Sequence, residues 1–459
     1  MLRLRRKKKF YTHAEVLDII RRHEIAVQKD YKLEAYYKNN NAINRVQKAN
    51  GKANHHCSNP FAHQIVSTMT SYFASKPIQL TVDDDAIQEQ LTEFLRYNDF
   101  DKTMVEVTEN VGVYGYGAIM TFIDGKGNIR FASVNPTELV VIVNNDLLGE
   151  IHTVIRTWYC ESNDGNDVHY VEVYDDKEVR KFYIDEKEIF NEVVEPHYFN
   201  DVPFTLFQAN QQGMNFYERV IPLIDSYDLL QSETLNLVSD LSESILLIAG
   251  VELDDDMVSQ INQLRLLNVS DIEQGLDVRY ITKDSPTNEE TKQRLRDDIF
   301  SLSMVCDINN PNFGEAVSGT SLKIKMSSME FLSGMMEGYF RLAIRRLIEL
   351  WGNIVALTGG IAVEELVKGL QMKFTRNTVS NEAEQIQNAL QLSTILSKET
   401  VIGLLQDFII DVPTELERLN TEREENVSFM QDSFNNGHEE DEEEEVKVDE
   451  PTLDDEEVE

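Results

Sequence analysis

The sequence predicts an α+β fold, predominantly helical, and three observations carry that expectation. Apolar residues recur at three- and four-residue spacing through long stretches of both halves of the chain, as one face of an amphipathic helix requires. Between about residues 118 and 194 the texture changes to short β-rich runs separated by turn residues. Finally, 459 residues with 41% hydrophobic content suffice for two to four structural units with sizeable cores.

The elements follow in order. Arg3 to Lys9 places six cations in seven positions and reads as a solvated basic arm, or as one that touches nucleic acid. From Thr12 to about Tyr37, Val16, Ile19, Ile20, His23, Ala26 and Val27 mark one helical face, and further helices are expected at about Pro60 to Ser75 and Asp85 to Glu109. After GVYGYG at 112 to 117, AIMTFID and NIRFASV flank the turn Gly125-Lys126-Gly127 as a hairpin would. VVIVNND, EIHTVIRTWYC, VHYVEVYD, EVRKFYID and EIFNEVV then continue as strands. Gly112, Gly115 and Gly117 run in the order G-x-x-G-x-G and lead from helix into strand, so they read as close-packing and turn glycines and not as a dinucleotide fingerprint.

Helix returns after Gly213. Ile224, Tyr227, Leu230, Leu237, Leu241, Ile245 and Ile248 form an apolar stripe, with Asp225, Asp228, Glu233, Asp240 and Glu243 on other faces and Gly250 as a stop. The rod would be about 25 residues, roughly 37 Å, long. A mixed module follows over about 250 to 285, with a strand expected from Asp277 to Thr282. A capping box at Thr287-Asn288-Glu289-Glu290 then opens a second rod carrying Leu295, Ile299, Leu302 and Val305.

INNPNFGEAVSGTSLKIK breaks that rod before a long helix begins near Ser321, with Leu322, Met326, Met329, Leu332, Met336, Tyr339, Leu342, Ile348 and Trp351 as its apolar face. Gly334-x-x-x-Gly338 within it reads as a bend or a tight packing point. A short helix over Ile361 to Leu370 and a late helical subdomain complete the ordered part. Residues 439 to 459 hold fourteen Asp or Glu against Lys447 alone, a composition that predicts disorder.

Charge and motifs exclude several functions. The net charge is −38, and the chain stays strongly acidic without its tail, the reverse of a tight DNA binder. The longest apolar run, Ile245 to Val251, is too short for a bilayer, and the basic start leads into Phe-Tyr-Thr-His without a signal-peptide core. The chain therefore reads as cytosolic, with no membrane partner. Cys57, Cys160 and Cys306 are too scattered for a disulfide framework, and His55-His56-Cys57 lacks a second cluster to complete a metal site.

GEAVSGTS at 314 to 321 resembles a phosphate loop in spacing, but Thr320 stands where the lysine belongs, and helical text precedes it instead of a strand. No G-x-S-x-G elbow or H-E-x-x-H helix occurs. No enzyme activity, cofactor or metal is expected. The rivals are a nucleotide hydrolase using GEAVSGTS and an acidic helical scaffold or adaptor.

Several strings, in this order and spacing, resemble portal proteins of tailed double-stranded DNA bacteriophages, especially long-tailed phages of Gram-positive bacteria. They are NPFAHQIVSTMTSYFASKPIQL, GVYGYGAIMTFIDGKGNIRF, LIDSYDLLQSETLNLVSDLSESILLIAG, SGTSLKIK, RNTVSNEAEQIQNALQLSTILSKET and DVPTELERL. The similarity spans most of residues 12 to 430. It implies a portal fold of wing, stem, clip and crown assembled as a ring, usually a dodecamer, around double-stranded DNA at a capsid vertex of the virion, after assembly in the host cytoplasm. The implied partners are the terminase large subunit, a head-completion or adaptor protein, and the major capsid and scaffolding proteins.

By position, residues 1–30 correspond to a basic arm and helix, 31–222 to the wing, 223–249 and 287–306 to two stem helices, and 250–286 to the clip. Residues 307–321 match the tunnel loop, 322–375 the long wing helix and its connection, and 376–430 the crown, with 431–459 the acidic tail. The loop's resemblance nominates Asn309, Asn310, Phe313, Gly314, Val317, Ser318 and Gly319 as channel-facing. Lys323 and Lys325 are candidates for transient phosphate contacts or are ordinary exposed helix lysines.

Overall fold

The computed structural model describes residues 1–8, 10–48, 53–161, 167–185, 188–242, 246–249, 266–269, 278–280, 288–310, 319–359, 362–377, 382–397, 400–402, 405 and 415–422. About half of the described residues are helical, so the fold is mixed α+β, with less helix than the sequence predicts. The chain divides into two compact units, Met1–Thr378 and Val379–Glu459.

The basic start is not a free arm. Leu2–Arg5 (β1) turns Leu2 and Leu4 toward a hydrophobic cluster and leaves Arg3 and Arg5 exposed, the two-residue alternation of a strand. It pairs in parallel with a later strand at Leu139–Val143, and the Met1 ammonium meets Asp30. His13–Ala26 (α1) packs Val16, Ile19 and Ile20 into the same cluster. Gln28–Tyr37 (α2) follows, so the expected single helix is two, meeting at Val27, whose backbone stays right-handed. His23 is a core histidine: its Nε2 lies 2.7 Å from the Thr137 carbonyl, its Nδ1 is buried without a hydrogen-bond partner among the described residues, and burial pushes its pKa down, favouring the neutral ring.

Phe61–Ala74 (α3) is the most buried helix of the base. Gln79–Thr81 (β2) leads to Asp85–Tyr97 (α4), whose first turn is capped by the Asp84 carboxylate, and then to Phe100–Tyr114 (α5). The expected Asp85 to Glu109 helix is thereby split. Asp99 takes the left-handed conformation (φ 48°), which Asn and Asp tolerate better than most residues. The buried Asn98 amide donates to the Phe94 and Ile129 carbonyls and accepts from the Phe131 amide, tying the helix end to the hairpin.

The hairpin is Tyr116–Ile123 (β3) with Ile129–Val134 (β4), and the strands Leu139–Val143 (β5), Ile151–Glu161 (β6), Asp167–Tyr174 (β7), Glu178–Asp185 (β8) and Glu188–Pro196 (β9) fall on the expected runs. They form a six-stranded sheet in the order β1-β5-β6-β7-β8-β9. Phe204–Gln208 (β10) joins the hairpin in a separate sheet, β10-β3-β4. Opposed Trp158, Tyr170, Tyr183 and Phe190 pin the register across β6 to β9. The three glycines at the α5–β3 junction do pack closely: a Cβ would stand 2.8 Å from Val66 at Gly112 and 2.8 Å from Val107 at Gly117, while Gly115 has φ +82°.

Ile221–Ser242 (α6) ends sooner than expected. Leu246–Ala249 (β11) is the central strand of a small sheet with Leu266–Val269 (β12) and Val278–Tyr280 (β13), so the apolar run assigned to the rod's end, and residues before 250, belong to the module it brackets. Short apolar runs of this kind do not separate strand from helix by periodicity.

Asn288–Ser303 (α7) is the second rod and stops three residues before the expected 306; the cap at Thr287 lies outside the described residues. Gly319–Lys325 (α8) and Ser327–Gly359 (α9) make the long helix in two pieces, followed by Val363–Gly369 (α10) and Gln371–Lys373 (β14), which pairs with β2. In the second unit Glu382–Leu392 (α11) and residues 415–422 are helical.

The main core lies among α3, α5, β10 and α9. Phe340 on α9 meets Phe73 and Phe207 edge-on, and Trp351 stacks on Phe94 at 5.4 Å. Two α9 expectations are corrected. Leu342, assigned to the apolar packing face, is exposed, and Gly334 and Gly338 are not tight packing points: nothing among the described residues lies within 4 Å of a Cβ built on either.

Candidate functional site

The candidate channel loop leaves a helix end built without glycine. Met304 sits in the left-handed region (φ 62°), its amide bonds the Ser301 carbonyl, and the Val305 amide reaches back to Phe300. This is a Schellman motif, with the expected hydrophobic contact supplied by Phe300 and Val305, both buried in the main core. Methionine pays about 1 kcal/mol of left-handed strain there that glycine would not. Met304→Gly should therefore stabilise the protein by about 1 kcal/mol in chemical denaturation; a loss would mean that the side chain outweighs the backbone.

Beyond the cap, Asp307 accepts from Arg296 at 2.6 Å and from the Asn309 amide, while the Asn310 amide bonds the Asp307 carbonyl. Cys306 donates from Sγ to the Lys325 carbonyl at 3.0 Å, and burial raises its thiol pKa. These contacts bring the start of the loop against the end of α8. Asn309 and Asn310 are placed at the loop's first turn, Gly319 opens α8, and Lys323 and Lys325 carry exposed side chains. Phe313, Gly314, Val317 and Ser318 lie outside the described residues. Among the described residues before GEAVSGTS, 288–303 are helical and 304–310 carry no strand, so the strand that opens a phosphate loop is absent from the described part of this segment.

The helix α6 holds the other side of this assembly through a polar contact that the sequence reading missed. Asp228, Ser232 and Asn236, four residues apart, are all buried on one face. They accept, in turn, from the backbone amides of Asn59 (3.0 Å), Cys57 (2.9 Å) and His55 (2.7 Å), alternate residues of an extended segment. Asp228 also accepts from the side chains of Asn41 (2.6 Å) and Asn59 (2.7 Å).

Asp228, expected off the apolar stripe, is thus fully enclosed, and burial raises its pKa even though the Asn41 and Asn59 bonds favour the carboxylate. The D-x-x-x-S-x-x-x-N spacing was the available signal. His55-His56-Cys57 serves this clasp through its backbone, and among the described residues no group of three ligating side chains could hold a metal.

On α9, Arg346 donates to the Val202 and Phe204 carbonyls at 3.0 Å and pairs with Asp201 at 2.8 Å. Glu337 takes Arg341 and Arg376 together. Burial alone would raise its pKa, but those two partners hold it below the usual range. Arg376 also reaches Glu330, which accepts from Tyr72. The helix that follows the loop is therefore fixed to both the β module and the helical base. Among the described residues no helix is long and apolar enough to cross a membrane.

Comparison with known proteins places this architecture among the structural proteins of phage heads. A protein-family model described as phage portal protein, SPP1 Gp6-like, matches residues 18–428. The portal protein of Bacillus phage SPP1 is 22% identical over 389 residues, covering 81% of this chain and 76% of the relative. That of Clostridium phage phiCD119 is 24% identical over 452 residues, covering 91% and 97%. A solved neck of an empty GTA particle, computed with C6 symmetry, aligns with TM-score 0.41 and 12% identity over 75% of this chain and 88% of that one. The chain belongs to the SPP1 Gp6-like family of phage portal proteins. It is accordingly a non-enzymatic component of the virion's capsid vertex, involved in genome packaging.

Proposed function

We propose that copies of this chain, twelve in the expected case, close into a ring whose axis is the DNA channel. In this reading α6 and α7 are the stem, the β11–β13 sheet is the clip, residues 307–321 are the tunnel loop, α8 and α9 are the long wing helix, and the second unit is the crown. The wing, expected from residue 31, extends back to residue 1, because β1 and α1 are built into its sheet and core.

The observation that carries the proposal is the α6–α7 pair. The two helices share a core through Ile224, Ile299 and Phe300, bracket the small sheet in sequence, and continue through the loop into α8 and α9. Terminase docks on the assembled ring during packaging, and head-completion proteins replace it afterwards. Major capsid and scaffolding proteins surround the wing.

A conduit must guide DNA without holding it. An acidic wall gives weak, repulsive contact, and exposed lysines contribute on the order of 0–1 kcal/mol each to any one ion pair. Lys323 and Lys325, exposed just after the loop, supply such contacts and release them as the polymer advances. Lys323→Ala with Lys325→Ala should leave ring assembly intact and lower packaged-DNA yield and retention several-fold. Unchanged packaging and retention would overturn the assignment. Electron microscopy of the purified chain tests the ring itself, which predicts particles with a central hole.

A further inference from the structure

The long helix presents an apolar face whose large side chains no described residue of the chain covers. Phe331 is 67% exposed, Met335 55% and Leu342 62%, and Ile324 on α8 is 69% exposed. On α9, residues 331, 335, 338 and 342 lie within about 60° of one another around the helix and span about 16 Å along it. Gly334 and Gly338 sit beside the large residues with open space where side chains would be, so the face has a low floor between projecting side chains. The opposite face of the same helix, with Met329, Met336, Phe340, Ile344 and Leu347, is already spent on the core.

We infer that this face is the seat of the neighbouring copy in the ring. The inference rests on the ring reading and names the contact that closes it. If residues 307–321 point to the axis, the helix that leaves the loop starts where copies converge, and its flanks must meet neighbours there. Rotational closure makes that contact heterologous: the face receives a different surface of the next copy, not its own twin.

Charge agrees with this occupant. Exposed Arg345 stands near one end of the face, in a chain whose net charge is −38, so a neighbour's prevailing acidity complements it. Apolar contact is also what two such acidic chains need to associate at all, because their overall charges repel.

The test uses the full-length chain with Met335→Glu and Leu342→Glu together. Both positions are exposed, so far-UV circular dichroism and Tm should match the unmodified protein, while the concentration at which rings form, read by sedimentation and electron microscopy, should rise at least tenfold. A photo-crosslinking residue at 342 in otherwise unmodified protein should yield chain-to-chain adducts within rings. Rings that form at the unmodified concentration in the double variant would overturn the inference, as would crosslinks exclusively to another virion protein. Absence of rings from the unmodified chain at every concentration would instead overturn the ring reading on which the inference rests.

Discussion

Gly115→Ala should prevent the first unit from folding stably. A Cβ at this position would stand 2.0 Å from the Gly213 carbonyl oxygen and 2.7 Å from its carbon, and the backbone there has φ +82°. The left-handed conformation alone costs an alanine roughly 1–2 kcal/mol. The clash is the larger part, since backbone has no rotamer to swing away. Gly213 cannot retreat either: it too has positive φ, and its own Cα faces the Tyr116 ring so closely that a Cβ would fall 1.8 Å from the hydroxyl oxygen. The two loops cross where neither tolerates a side chain.

A loss above about 4 kcal/mol is expected, seen as collapse of soluble yield and a Tm too low to measure cleanly. Gly125→Ala, at the tip of the β3–β4 hairpin where nothing lies within 4 Å, should change Tm little. Equal behaviour of the two variants would refute the close-approach account.

Asp228→Ala should cost on the order of 3–5 kcal/mol. It strands the Asn59 backbone N–H and takes one acceptor each from the Asn41 and Asn59 side-chain amides. Asp228→Asn keeps one acceptor oxygen and turns an N–H toward a donor, so a smaller but definite loss is expected. Hydrogen exchange localises the effect, with residues 53–60 losing protection first and most strongly.

The pH dependence has a definite sign. Burial places the folded-state pKa of Asp228 above its unfolded value, so the folded protein takes up this proton first as pH falls. The proton-linked part of its contribution to stability is fully present below the unfolded pKa and is lost as pH rises through the folded pKa. Removing the carboxylate should therefore change the slope of stability against pH in the acid range; identical slopes in Asp228→Ala and the unmodified protein would exclude the linkage.

Helices and strands with one wet and one dry side were legible because burial imposes its period on the sequence. Residues 61–74 and the five strands from β5 to β9 fall where that pattern puts them. What failed was decided by distant partners. The end of α6 depended on strands supplied by residues 266–269 and 278–280, and Leu342 reads as core by spacing yet is exposed.

At the candidate site, Lys323 and Lys325 are exposed on α8, which fits both an ordinary helix lysine and a phosphate contact. The strain at Met304 gave no sequence signal, because the left-handed cap there is not glycine. Asp228 was misread because an acidic residue on a helix normally faces water; only its spacing to Ser232 and Asn236 hinted that all three share an acceptor row. Leu2 and Leu4 were hidden inside a run of cations whose alternation, not whose charge, fixed the structure.

The segment from His55 to Asn59 reads as a loop, yet its length is as constrained as that of a gear rack. Two residues of extended chain advance about 6.6 Å, whereas four residues of helix advance about 6.0 Å and turn its face by some 40°. Teeth and rack therefore mesh for three positions and then drift apart, which limits the engagement to Asn59, Cys57 and His55. One residue inserted between 55 and 59 would turn every amide beyond it away from α6, so a stretch without regular secondary structure should tolerate changes of side chain far better than any change of count.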